Sequence, residues 1–252
     1  MKINCYTSGH MHSQLIARAF AEGGNFPLIH DLRHLLPGPM FTYGNLRGLK
    51  PLLDQAIAEG RDWYYGDNGY FLPGHYAGYY RVTKNGYQHD GKGDAPPDRW
   101  RQLHLYIEKW QIGGRQIIVC PPGNVMAELR GFDAKHWLID TLKILEANTD
   151  RPIRVRMKPK PGSEEKPLAE DLQGAHALVC HSSNAAVSAL IAGVPVFCTD
   201  PCASSIMGLS DVSKIETPFY PGDRFRWACV LAANQWTLNE FRDGTLKKDM
   251  GL

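Results

Sequence analysis

Four polar residues, His181-Ser182-Ser183-Asn184, interrupt the otherwise apolar stretch from Ala177 to Cys198. Hydroxyl and amide groups at one turn, beside the unpaired N–H groups of a helix start, are the chemistry of an anion site. The flanking residues supply that turn. Residues 177–180 read as a short buried strand, and Ala185 to Ala192 as a helix apolar on most of its surface. Gly193 sits where a left-handed C-cap residue is expected, Pro195 forbids further helix, and residues 194–198 read as a second buried strand. Ser182 or Ser183 is the expected N-cap. A phosphate or diphosphate is the natural occupant; a plain αβ crossover with an ordinary N-cap is the alternative.

Other residues could work with this turn. Arg154, Arg156, Lys158 and Lys160 alternate along residues 153–157 and the exit from them, so they share one face. Lys158 lies at the carboxyl end of that strand, where α/β proteins bind ligands, and is the candidate to neutralise a phosphate. Arg154 and Arg156 read as solvated charges on an edge strand. Asp67, in a Gly-flanked loop after a strand, and His10, after the first strand, are the candidate general bases. An Asx turn is the rival reading for Asp67. His12 reads as a helix-start residue. Residues 63–87 hold seven of the eleven tyrosines. Rings at this density suit an acceptor surface, with Tyr65, Tyr70, His75, Tyr80 and Arg81 as its contacts; a Tyr-rich hairpin between domains is the plain alternative. Cys180, His181, Cys198 and Cys202 lack the paired spacing of structural zinc sites, so no metal is expected.

The elements that must position these residues alternate between strand and helix. Strands are predicted over residues 2–7, 26–29, 40–43 and 63–65, with helices over 12–21 and 49–59. Residues 66–98 break the pattern around a strand at 79–83, and residues 99–110 read as helix. A domain boundary is placed near Gly113. Beyond it come strand 116–120, loop 121–132, helix 134–147, strand 153–157, helix 168–173, and the strand–turn–helix–strand described above. Residues 224–241 read as one helix carrying Phe225, Trp227, Trp236 and Phe241. The expectation is an α/β chain of two Rossmann-like halves, residues 1–113 on the acceptor side and 114–252 binding the nucleotide.

The segment from Ala177 to Cys198 resembles the nucleotide-binding signature of GT-B glycosyltransferases, in particular capsule-polysaccharide and phage-type glycosyltransferase-like proteins. Their pattern is a strand, S-S-x-x-x-x-E, then A-x-x-x-G-x-P-V, which Ser182, Ser183, Ala189, Gly193, Pro195 and Val196 match. Ser188 departs from it, standing where many members carry a Glu that holds the donor ribose. In order of elements the resemblance covers roughly residues 115–245. It implies a compact GT-B-like arrangement with a terminal helix crossing both halves. It also implies glycosyl transfer from a nucleotide-diphosphate sugar, bound as substrate with no resident cofactor, at Ser182 and Ser183 of the matched pattern; the turn and strand-end readings above add His181, Asn184 and Lys158 to the donor site. The acceptor is a hydroxyl, and phage members of the class open the possibility of a modified base in DNA. A transferase of a non-sugar group, a nucleotide-sugar epimerase and a non-catalytic nucleotide-binding module stay open on the same scaffold.

Composition agrees with a globular chain, long enough for one large domain or two small ones. The 252 residues are 43% hydrophobic with a formal charge of +2, which neither demands nor excludes nucleic acid. No run approaches the ~20 apolar residues of a membrane span. The start of the chain lacks an apolar signal region, and six scattered cysteines fit reduced thiols, so a cytoplasmic location is expected, the host cytoplasm if phage-encoded. Walker A, H-E-x-x-H, G-x-S-x-G and dinucleotide fingerprints are missing.

Overall fold

A computed structural model describes residues 2–74, 77–159 and 166–252. They pack into two units, residues 1–89 with 232–252, and residues 90–231. The sequence expectation placed one boundary near Gly113.

Unit 1 contains β1 (Asn4–Tyr6), α1 (Met11–Gly24), β2 (Leu28–Ile29), β3 (Met40–Tyr43), α2 (Leu49–Ala58), β4 (Trp63–Asn68) and β5 (Tyr79–Lys84). Alternation within the strands divides its core. Cys5, Phe41 and Tyr64 face α1, while Tyr6, Met40, Trp63 and Tyr65 face Leu49, Leu52, Leu53 and Ala56 of α2. Phe20 of α1 stacks on Phe41 with ring centroids 4.0 Å apart. α1 stops where Asn25 adopts the left-handed conformation and returns its N–H to the Ala21 and Glu22 carbonyls.

Unit 2 contains α3 (Asp98–Gln102), β6 (Gln116–Cys120), α4 (Asn124–Leu129), α5 (Ala134–Asn148), β7 (Ile153–Val155), α6 (Leu168–Leu172), β8 (Ala175–Cys180), α7 (Ala185–Ile191), β9 (Val196–Cys198) and α8 (Arg224–Ala233), the last belonging to it as far as Leu231. Its sheet is parallel, in the order β7-β6-β8-β9. Ile117, Val119, Ala177, Val179 and Phe197 pack against Leu145, with Trp137, Leu138 and Leu142 of α5 beside them. The chain then completes unit 1 with β10 (Trp236–Thr237), α9 (Leu238–Arg242) and α10 (Thr245–Asp249). The six strands of unit 1 lie in the order β10-β5-β4-β3-β1-β2, with β5 and β10 antiparallel to their neighbours.

The α/β class with Rossmann-like sheets is as expected, the unit 2 sheet wholly parallel and the unit 1 sheet parallel apart from β5 and β10; three local expectations are corrected. Residues 99–110 are helical only in α3, because His104 turns left-handed at φ 52° and the Glu108 and Gln111 amides bond instead to the carbonyls of Ile191 and Gly193. The loop expected at 121–132 contains α4. The helix expected at 224–241 breaks after Ala233. Trp236 pairs with Tyr80 in the sheet, and Thr237 and Glu240 form a capping box that starts a new helix.

Candidate functional site

In unit 2 the chain moves from β6 to β7 on one side, then returns to lay β8 on the other side of β6. Loops leaving the carboxyl ends of β6 and β8 therefore diverge, and open α/β sheets bind ligands in the crevice this leaves. The β8 loop is His181–Asn184, the turn singled out in the sequence. The β6 loop carries Gly123, whose φ of −69° is ordinary and whose Cβ position meets nothing within 4 Å. Neither strain nor packing demands glycine there, so the open face of this backbone is available to a ligand.

A polar network fills the edge of the crevice. Arg130 Nη1 donates to Ser182 Oγ at 2.9 Å and lies 3.3 Å from Asp200 Oδ2, on the loop after β9. His181 Nδ1 lies 3.0 Å from Ser182 Oγ and 3.8 Å from Asp200 Oδ2. The Ser182 hydroxyl thus joins the Arg130 guanidinium to the His181 ring. The His181 ring stacks on Phe132 at 4.3 Å and meets the edge of Trp137, whose Nε1 donates to Thr199 Oγ1 at 2.8 Å. Burial lowers the His181 pKa; Asp200 opposes the shift and the Arg130 charge adds to it.

That shift gives a pH prediction. Folded His181 binds its proton less readily than the unfolded chain, so unit 2 loses stability as pH falls through the ordinary histidine value of about 6.5. His181→Phe keeps a ring against Phe132 and cannot titrate. Thermal midpoints of the full chain should therefore drop less between neutral and mildly acidic pH in this variant than in the wild type. Equal drops would show that His181 does not carry the effect.

The other residues predicted for the donor are distributed differently. Ser183 Oγ accepts from the Ala185 N–H at 3.1 Å and its carbonyl accepts from Ala186, so it closes the start of α7. Asn184, not Ser182 or Ser183, is the N-cap residue, and its side chain makes no cap bond. With those helix-start amides engaged, the positive group of the turn is Arg130, which sequence reasoning missed along with Phe132, Trp137 and Asp200. Asp200 carried a signal: it lies just past a buried strand, as His181 does. Lys158 is exposed beyond the end of β7. β7 is an edge strand and Arg154 is half exposed, in keeping with the solvated reading; for Arg156, 9% exposed, that reading is corrected, and both arginines ion-pair with Asp171, itself 4% exposed.

In unit 1 the corresponding crossover lies between β1 and β3. His10 is exposed on the β1 loop as the N-cap residue of α1. Asp67 instead lies within β4, one residue before its end, in a pair with Arg81. Its Oδ2 accepts from Arg81 Nη2 at 2.7 Å, and its Oδ1 accepts from the Asn68 N–H at 2.8 Å. His12, read as a helix-start residue, is buried and lies 3.2 Å from the Tyr43 hydroxyl, which donates to Asn68 Oδ1. Burial, aided by Asp67 and Tyr80, raises the Tyr43 pKa.

The tyrosine-rich stretch is largely core. Tyr65 packs under α2 against Tyr87, Tyr80 is fully buried between α1 and α9, and Tyr70 lies under the Arg81 guanidinium at 4.8 Å. These faces are covered, so they do not present rings to an acceptor. Arg81 is itself buried, its charge turned onto Asp67 and the Asn68 carbonyl. His75 lies outside the described residues. Among the described residues, no group of three or more His, Cys, Asp or Glu side chains is arranged to hold a metal ion, and no helix is long and apolar enough to cross a membrane.

No protein-family model matches the sequence, and no curated protein does. Solved structures match the fold. One is the beta Kdo 2,4 transferase of Thermosulfurimonas dismutans KpsC, at a TM-score of 0.56 and 10% identity, over 91% of this chain and 89% of that one. Another is the beta Kdo 2,7 transferase of the same protein, at a TM-score of 0.53 and 12% identity, over 98% of this chain and 100% of that one. At such identity the likeness is one of fold: the chain shares the α/β architecture of these two transferases.

Proposed function

We propose that the chain is a glycosyltransferase that moves a sugar from a nucleotide-activated donor to an acceptor hydroxyl. The observation that carries this reading is the Arg130–Ser182–His181–Asp200 network at the crossover of the unit 2 sheet. A guanidinium held by a hydroxyl and a carboxylate is preorganised to take phosphate oxygens through parallel N–H donors. It also neutralises the charge that grows on the departing nucleotide as the glycosidic bond breaks. Lys158 is the second cation. Because Ser188 is exposed and carries no charge, Asp200 is the carboxylate left to accept from a ribose hydroxyl. In unit 1, His10 is the first candidate to take the acceptor proton, since both Asp67 oxygens are already engaged. The fold likeness to two Kdo transferases supports this reading, and a Kdo-like acidic sugar belongs on the donor panel.

Isothermal titration with nucleoside mono- and diphosphates tests the assignment. Arg130→Ala should weaken the best nucleotide by at least about tenfold, the cost of one or two charged hydrogen bonds at roughly 1.5–3 kcal/mol each. Lys158→Ala should cost less, because that cation is exposed. Ser183→Ala should leave affinity close to wild type, because its oxygen serves Ala185. If no nucleotide binds the wild type, or Arg130→Ala binds as well as wild type, the proposal falls.

A further inference from the structure

Asn68 is the last residue of β4 and is exposed, yet the protein holds it on three sides. Its N–H donates to Asp67 Oδ1 at 2.8 Å, its carbonyl accepts from Arg81 Nη1 at 2.7 Å, and its Oδ1 accepts from the Tyr43 hydroxyl at 3.2 Å. The side-chain amide is the polar group left over, with no partner among the described residues. A carboxamide is planar, so fixing Oδ1 also fixes where the Nδ2 hydrogens point.

Tyr43 is held in turn. Its ring meets the His12 ring edge-on at 5.2 Å and the Tyr80 ring at 6.0 Å, and its hydroxyl lies 3.2 Å from His12 Nε2. Gly66 makes room for it, because a Cβ there would stand 3.2 Å from Tyr43 Cδ2 and 3.0 Å from Phe41 Cζ. Burial raises the Tyr43 pKa, so the hydroxyl keeps its hydrogen for Asn68. The network runs along the carboxyl edge of the unit 1 sheet, from the end of β4 to the first turn of α1, whose N-cap residue is His10.

We propose that the Asn68 amide is a binding contact for a hydroxyl oxygen of a neutral sugar, with Tyr43 as the residue that positions it. An exposed amide at a strand end, oriented by packed partners, is built as a binding contact is built. It also lies at the carboxyl edge, where α/β sheets take their ligands. The charge beside it selects the ligand. Arg81 is 4% exposed and Asp67 37%, so the open side of their pair is the carboxylate. A phosphate is repelled there, whereas a hydroxyl accepts from the amide and brings no charge. That this sugar is the acceptor rests on the glycosyl transfer proposed above; the binding does not.

Side-chain amide spectra of the isotope-labelled full chain test the contact. The neutral probes are methyl glucoside and methyl galactoside, and the anionic ones are inorganic phosphate and duplex DNA. Asn68→Asp lacks the Asn68 signal pair and so identifies it. At least one glycoside should shift that pair saturably, and neither phosphate nor DNA should. Asn68→Asp and Tyr43→Phe should each weaken glycoside binding, followed by other signals of unit 1, by roughly three- to tenfold, the worth of one neutral hydrogen bond. Signals of unit 2 should keep their positions in both variants, which separates a lost contact from a lost fold. No shift with either glycoside, a shift with phosphate or DNA instead, or wild-type affinity in Asn68→Asp would overturn the proposal. Wild-type affinity in Tyr43→Phe would overturn the positioning role. A chain that binds a glycoside at Asn68 but no nucleotide would sink the transferase reading and leave this contact standing.

Discussion

His10→Gln should lower turnover by ~10² to 10⁴ while leaving nucleotide affinity unchanged, as expected when a general base is lost. Transfer to a hydroxyl requires a group that takes the hydroxyl proton as the new bond forms. His10 is exposed at the crossover of the unit 1 sheet, and the backbone of α1 starts beside it. Asp67→Asn provides the contrast. Asp67 is 37% exposed and holds Arg81, which is 4% exposed, so its loss should show mainly as a lower thermal midpoint. The decisive comparison is kcat, measured as nucleotide release with acceptor present, beside donor affinity for both variants. If His10→Gln retains kcat within a few-fold, the base is another group.

Asp171→Ala should have the largest effect on stability. The Asp171 carboxylate, 4% exposed, pairs with Arg154 through Oδ1 at 2.9 Å and with Arg156 through Oδ2. Arg156 is 9% exposed, and its other donor goes to the Lys166 carbonyl. Removing the carboxylate leaves Arg156 buried without a counter-charge, which costs about 3–5 kcal/mol. Arg154 is half exposed and adds little. At ~2–4 °C per kcal/mol for a protein this size, the thermal midpoint should fall by roughly 10 °C. Glu170→Ala, which removes only an exposed pair with Lys166, should move it by ~1–2 °C at most. Combining Asp171→Leu with Arg156→Met should recover most of the loss, because an apolar pair leaves no stranded charge. A midpoint within ~2 °C of wild type for Asp171→Ala would show that Arg156 reaches water once freed.

Buried strands and amphipathic helices were legible in the sequence because their patterns are local. Alternation in β3, the apolar runs of β6 and β8 and the helical spacing of α2 each sit within one window of residues. The break after Ala233 was not legible from rings alone, because Trp236 finds its place beside Tyr80, far away in the chain. Its second half was legible in principle: Thr237 and Glu240 have the spacing of a capping box. The same division holds at the site. His181 to Asn184 could be placed on a strand–helix turn from neighbours alone. Arg130 could not be joined to it, since Ser182 and Asp200 lie 52 and 70 residues further along. The tyrosines misled because ring density near Gly and Asp reads as surface, whereas β4 and β5 turn most of those rings inward.

Unit 1 is assembled from two stretches of chain separated by all of unit 2, and this orders its synthesis. When residue 89 leaves the ribosome, β5 is an open sheet edge, and the α1 face lacks Leu238, Phe241 and Leu246. Unit 2 has its whole sequence available before the first unit does. An unpaired edge and an uncovered apolar face are what aggregation and chaperones recognise. The closing β10–α9–α10 segment therefore acts as a late seal on the nascent chain. Until residues 232–252 emerge, unit 1 stays unsealed, a substrate for chaperone capture.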